Sequence, residues 1–153
     1  MSKKLNILVT GGAGFVGSYL CKELSSLGHN VRLVDIQEQT RLAERYDYRC
    51  VDILDKSALT EAMEGIELVI HLAAKHKFFG VSENEFFQVN HDGTSNVLDA
   101  MRSKGVQKII FYSSVAVYGD ADGPTSESSP TKPNTSYGLS KLAAEELVKA
   151  WAI

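Results

Sequence analysis

Tyr137 and Lys141 stand four residues apart in the run Tyr137-Gly138-Leu139-Ser140-Lys141. On a helix that spacing puts a phenol and an ammonium on one face. An ordinary phenol gives up its proton near pH ~10, too high for a base working at neutrality. A nearby positive charge lowers that value. A phenolate so poised could take the proton of a substrate hydroxyl while a hydride leaves the same carbon. Ser113 and Ser114 follow the β-rich stretch 107–112, and a hydroxyl at such a strand end could orient the substrate oxygen. Each feature has a plainer alternative: an incidental pair on a surface helix, and two hydroxyls capping a turn. Tyr and Lys at this spacing are common by chance, so the pair gains meaning only beside a hydride acceptor.

A place for that acceptor is written near the N-terminus, in Thr10-Gly11-Gly12-Ala13-Gly14-Phe15-Val16-Gly17. The run lies between a predicted strand and a predicted helix, with an acid at the end of the next strand. Gly11 permits the tight turn. Gly14 lets the backbone approach a pyrophosphate, and Gly17 allows the helix to pack closely on the strand. The amides that open the helix, at Phe15 and Val16, hold phosphates together with the helix dipole. Asp35, just after the second strand, could accept hydrogen bonds from both adenosine ribose hydroxyls. It would repel a 2′-phosphate, so NAD is favoured over NADP. Arg41 tempers this, because a flexible guanidinium could receive such a phosphate. Asp52-Ile53 follows the third strand, where an acid and an apolar side chain could bracket the adenine. In this setting Lys141 could also bond the nicotinamide ribose. The alternatives are a turn serving only the chain path and a solvated loop acid.

The elements that must position these groups alternate. Leu5 to Val9, Val31 to Val34, Tyr48 to Val51, Glu67 to Leu72 and Gln107 to Tyr112 read as five strands. Between them, Phe15 to Leu27 reads as a helix with Val16, Leu20, Leu24 and Leu27 on its apolar face, ending at Gly28. Lys56 to Glu64 reads as a helix stopped by Gly65. Glu83 to Ser103 reads as a third, weakly interrupted by Gly93. Asp120 to Ser136 holds all three prolines and reads as a long loop. A helix from Ser136 to Trp151 follows. Alternating strands and helices predict an α/β fold: a doubly wound parallel sheet of the Rossmann type, in strand order 3-2-1-4-5.

Composition narrows the classes. The 16 bases and 19 acids are scattered, with no basic block for nucleic acid or an anionic membrane. No segment reaches the roughly 20 apolar residues of a membrane span, and the first apolar run is too short for a secretory signal. A cytoplasmic location is expected. Two cysteines, Cys21 and Cys50, are too few for a disulfide framework. The four histidines have no partner at metal-ligand spacing, so no metal is expected. Met63 and Met101 read as core residues, and His71 as a packed strand end.

The chain resembles the N-terminal half of the extended short-chain dehydrogenase/reductase family, which includes NAD-dependent sugar-nucleotide epimerases and dehydratases. The resemblance rests on Thr10 to Gly17, Asp35, Asp52-Ile53, His71-Leu72-Ala73-Ala74, Asn90 with Gly93-Thr94, Ser113 to Gly119, Glu127 with Pro130 and Pro133, and Tyr137 to Lys141. It implies Ser114, Tyr137 and Lys141 as the catalytic set. It implies Gly11, Gly14, Phe15, Val16, Gly17, Asp35, Asp52, Ile53, Leu72, Ala73, Ala74, Asn90, Tyr137 and Lys141 as the cofactor-binding set. Leu72 to Ala74 would pass along the cofactor near its pyrophosphate and riboses, and Asn90 would help position the nicotinamide half.

Val115-Ala116 stands where sugar-nucleotide 4,6-dehydratases carry an Asp-Glu pair after the catalytic residue, so elimination by that route is not expected. Epimerisation of a nucleotide-linked sugar leads. Dehydrogenation or reduction of a non-sugar alcohol such as a sterol is the alternative, as is an NAD-binding fragment or sensor without catalysis. The segment 75–84, with His76, Lys77, Phe78 and Phe79, would border the active site, where its cations could meet a diphosphate. Family members continue beyond the tyrosine–lysine helix to complete the sheet and add a substrate-binding domain. Residues 1–153 are therefore expected to form an NAD(P)-binding domain with the sheet unfinished and the C-terminal substrate domain absent. An exposed sheet edge then predicts weak stability, self-association or need of a partner piece. For the full-length form the resemblance implies a homodimer, with the helices after Glu83 and Ser136 as candidates for its interface.

Overall fold

The computed structural model describes residues 3–38, 41–76, 80–120 and 123–152. Five short β-branched runs form strands: β1 (Asn6–Thr10), β2 (Asn30–Asp35), β3 (Asp47–Cys50), β4 (Leu68–His71) and β5 (Ile109–Phe111). They pair in parallel in the order β3-β2-β1-β4-β5, as expected. The order reverses between β1 and β4, the position in such sheets where ligands bind beyond the carboxyl ends of the strands. Register brings Thr10 beside Val34 and His71, and Asp35 beside Cys50. The helical elements are α1 (Phe15–Ser26), α2 (Lys56–Ala62), α3 (Glu83–Phe87), a π-helical turn (Gln88–Asp92), α4 (Gly93–Ser103), a 3-10 turn (Val115–Tyr118) and α5 (Ser136–Trp151).

The chain divides into two compact units, Met1–Ala73 with Asn96–Tyr112, and Ala74–Ser95 with Ser113–Ile153. The first holds the whole sheet. Ile7, Val9, Val31, Leu33 and Ile70 form its core on one face together with Cys21, and Leu20 and Leu24 pack against them. Successive strand side chains point to opposite faces, so Leu8, Val34 and Val69 are buried on the other side. Arg32 marks that second side, donating from one guanidinium nitrogen to the carbonyls of Ala62 and Glu64 at the end of α2. Met63 and Met101 are fully buried. Burial pushes the Cys21 thiol up to about 12, so it stays protonated.

Two details depart from expectation. Val16 and Leu27 are 48% and 67% exposed. The core-facing stripe of α1 is Gly17, Leu20, Cys21 and Leu24: Leu20 and Leu24 lie there as expected, while Gly17 and Cys21 take the places of Val16 and Leu27. The weak interruption expected at Gly93 lies one turn earlier, in Gln88–Asp92. Gly93 itself is helical, with φ −59°, and begins α4. Strand β5 is paired on one edge only among the described residues, and Ile110 is 47% exposed.

The second unit is built around α5. Thr135 starts that helix by accepting the Gly138 amide at 3.0 Å, and α5 packs on the π turn, on α3 and on the 3-10 turn. Ser82 and Glu85 form a reciprocal capping box at the start of α3. The proline-containing segment before α5 is tied to the 3-10 turn, where the Lys132 amide donates to the Val117 carbonyl.

Candidate active site and cofactor cradle

The sequence-predicted residues fall into two groups, one per unit. In the first unit the glycine turn leaves β1 and enters α1. Gly11 has φ +67°, and a Cβ there would lie 2.8 Å from the Ala73 amide nitrogen, so only glycine fits. A Cβ on Gly17 would meet the Gly11 carbonyl oxygen at 2.5 Å and Gly12 Cα at 2.7 Å. Gly17 therefore allows the helix to approach the turn itself, rather than the strand. Gly14 is the N-cap and caps with no side chain, and no acidic residue sits in the first turn. The amides at Phe15, Val16 and Gly17 are thus left without side-chain acceptors, which suits an anion. Phe15 is 81% exposed.

Asp35 is the last residue of β2 and is buried. One carboxylate oxygen accepts the Ala13 amide at 3.0 Å and the other accepts the Gln37 amide at 3.1 Å. The acid is thereby fixed against the glycine turn, with lone pairs left on both oxygens. Behind the turn, Thr10 Oγ1 lies 2.6 Å from His71 Nδ1 and accepts the Ala73 amide at 3.2 Å. Both side chains are buried, and together they clamp the ends of β1 and β4. His71 is the packed strand end its position predicts, while its pairing with Thr10, 61 residues away, has no local signal in the sequence. Leu72 donates its amide to the Thr10 carbonyl. Asp52 accepts the Leu54 amide. Ile53 is buried, and Asn96 donates to its carbonyl.

In the second unit Ser114 adopts an extended conformation and caps the 3-10 turn, its Oγ accepting the Ala116 amide at 3.2 Å. That is the capping role weighed as the plain alternative. No acceptor for the Ser114 hydroxyl proton is found among the described residues. Val115, next to it, is 81% exposed. Tyr137 is half-buried, with its ring centroid 6.1 Å from that of Phe86. Gly138 lies so close to the Ala116 carbonyl that any Cβ would collide with it, which seats the start of α5 on the 3-10 turn. Asn90 is buried in the π turn. Its amide accepts from the Lys75 nitrogen at 2.7 Å, and donates to the Lys75 carbonyl at 3.0 Å and to Ser140 Oγ at 2.9 Å. Ser140 in turn donates to the Tyr137 carbonyl. Asn90 thus links the segment after β4 to the helix that carries the phenol. Ala74 is half-buried, Lys75 pairs with Glu85 at 3.5 Å, and His76 is exposed. Lys77, Phe78 and Phe79 lie outside the described residues.

Lys141 is only 3% exposed. Burial pulls its ammonium down from the ordinary 10.5 to about 8, partly opposed by Glu145 one turn on. A base whose folded value is depressed costs stability wherever it is charged. The cost is full below about pH 8 and is relieved as pH rises toward 10.5. The two values differ by an amount worth about 3 kcal/mol. Lys141→Met is therefore expected to raise unfolding free energy near pH 7 by that order. It should also remove the rise in stability above about pH 8, measured by denaturant titration across pH. Equal pH profiles for the two proteins would show that Lys141 is not desolvated.

Among the described residues no cluster of three or more His, Cys, Asp or Glu could hold a metal, and no helix is long and apolar enough to cross a membrane.

The sequence profile of a family described as NAD dependent epimerase/dehydratase matches residues 7–152. The chain is 38% identical over 146 residues to N-acetyl-alpha-D-glucosaminyl-diphospho-ditrans,octacis-undecaprenol 4-epimerase of Escherichia coli O157:H7, covering 95% of this chain and 43% of that protein. It is 35% identical to UDP-glucose 4-epimerase of Corynebacterium glutamicum, covering 97% of this chain and 47% of that one. Among solved structures, UDP-glucose 4-epimerase from Brucella ovis in complex with NAD superposes with a TM-score of 0.89 at 36% identity, over 97% of this chain and 48% of that one. The chain spans about half the length of the relatives it matches.

Proposed function

Because the chain belongs to the NAD dependent epimerase/dehydratase family, we propose that it is the cofactor-binding and catalytic part of an NAD-dependent epimerase acting on a nucleotide-linked sugar. The donor set fits a dinucleotide. The uncapped amides at the start of α1 would hold the pyrophosphate, and the anchored Asp35 carboxylate would accept the ribose hydroxyls and disfavour a 2′-phosphate. NAD, when bound, supplies a hydride acceptor and donor for the carbon bearing the alcohol. Tyr137 takes the hydroxyl proton of the substrate and later returns it. Lys141, charged, stabilises the phenolate by its proximity on the same helical face. Ser114 donates its unused hydroxyl proton to the substrate oxygen. Asn90 and Gly138 act indirectly, by fixing α5 relative to the segments around it within the same unit. The exposed Val115 and its neighbour Ala116 offer no acid or base for loss of water, which favours epimerisation over dehydration.

The observation that carries this reading is Lys141. A buried ammonium is costly, and such perturbed groups gather at functional sites. It stands one turn after a half-buried tyrosine in a unit that also holds Ser114. Incubation with NAD and a UDP-hexose of a form that also carries the C-terminal substrate domain is expected to yield the C4 epimer with no net gain in NADH absorbance. Stoichiometric accumulation of NADH with an oxidised product would replace the epimerase reading with a dehydrogenase.

A further inference from the structure

A cavity of about 560 Å3 opens at the amino-terminal edge of the sheet, within the range of about 300–1,000 Å3 typical of small-molecule sites. It lies in the first unit, at the end of the strands away from the glycine turn. The five residues of β1 at about 3.3 Å each separate the two by roughly 16 Å. Its walls include Ser25, His29, Val31, Arg45, Tyr46 and Ile66. The charges that line it, Arg32 and Arg45 against Asp47 and Glu64, balance formally, but three of the four are committed to partners. Asp47 at the rim is already held by Arg32 at 2.6 Å and by Arg49 at 2.8 Å, and Glu64 is held by Lys104 at 2.6 Å. Arg32 is also spent on two carbonyls. Arg45, by contrast, makes no side-chain hydrogen bond or ion pair among the described residues, and its guanidinium is a five-donor fork.

His29 adds a second donor with a fixed direction. Its Nδ1 accepts the Leu5 amide at 3.2 Å, so the ring proton sits on Nε2. The lining therefore combines an uncommitted cation, an imidazole N–H and the Ser25 hydroxyl with the half-buried Tyr46 ring and two aliphatic side chains. We propose that this cavity is a second ligand site, which takes a small organic phosphate: the anionic end on Arg45 and His29, the organic end against Tyr46, Val31 and Ile66. Charge-assisted pairing between a guanidinium and a phosphate gives such a site both affinity and orientation.

Phenyl phosphate, inorganic phosphate and phenol are the probes, each titrated into the intact chain with melting temperature and calorimetry as readouts. Phenyl phosphate is expected to bind saturably, at least ten-fold tighter than inorganic phosphate, and phenol not at all. Arg45→Ala should weaken phenyl phosphate at least ten-fold. Gly14→Ala, which alters the glycine turn, should leave it unchanged. The proposal is overturned if nothing binds, if phenol binds as well as the phosphate ester, or if inorganic phosphate matches the ester. It is overturned equally if binding survives Arg45→Ala or is lost in Gly14→Ala, because the anion then sits elsewhere. Arg45 is exposed, so its replacement leaves the fold intact, and the test does not depend on the epimerase reading.

Discussion

Tyr137→Phe is expected to leave NAD affinity essentially unchanged and to slow conversion of a UDP-hexose by ~100- to 10,000-fold, the usual worth of a positioned acid–base group. The variant keeps the ring beside Phe86 and deletes only the phenolic oxygen. The proposed pyrophosphate donors and Asp35 belong to the other compact unit, so binding and chemistry should separate. Single-turnover absorbance of the NADH formed during oxidation reads the chemical step, and calorimetry reads cofactor binding. Under this reading kcat falls with kcat/KM, the pattern of an interaction made in the transition state. A variant that retains most of its activity would remove Tyr137 from the role of base. One that loses NAD affinity in proportion would make it structural.

The second large effect falls on the cofactor. In Gly17→Val the new Cβ must push aside the Gly11 carbonyl at 2.5 Å and Gly12 Cα at 2.7 Å, all backbone with little room to yield. The turn and the helix start have to part, and the amides that would face the pyrophosphate move out of line. Each hydrogen bond to a charged group is worth about 1.5–3 kcal/mol, so losing two weakens NAD by ~100-fold or more. Overpacking also lowers stability by about 1–3 kcal/mol, so a cooperative melt is recorded alongside. Gly123→Ala is the control, because a Cβ there meets nothing within 4 Å. NAD binding by Gly17→Val at the wild-type level would show that the turn does not hold the cofactor.

Much of this could be read from residue order, and the parts that could not share a cause. Sheet order followed from alternation and right-handed connection. The bounds of α5, Ser136–Trp151, match the expectation, because Thr135 caps it and a proline-rich segment precedes it. On α1 Leu20 and Leu24 face the core as their spacing predicts, but Val16 does not, since the close approach of Gly17 to the turn backbone turns that residue outward. The π turn at Gln88–Asp92 carries the same apolar spacing as an ordinary helix. It is held by Asn90 through the Lys75 peptide and Ser140, fifteen and fifty residues away in sequence. Likewise Thr10 and His71 meet across 61 residues. Pairings of this kind depend on which strands and helices become neighbours, and no local pattern encodes them. Of the cationic motif at His76 and Lys77, His76 is exposed and Lys77 lies outside the described residues.

The central claim is that the Gly11–Gly17 turn and Asp35 together form a seat for NAD. Calorimetric titration of the chain with NAD and with NADP tests it most directly. One NAD per chain is predicted, at least ten-fold tighter than NADP, with Asp35→Ser closing the gap. Failure of NAD to bind, or NADP binding as tightly as NAD, would contradict it.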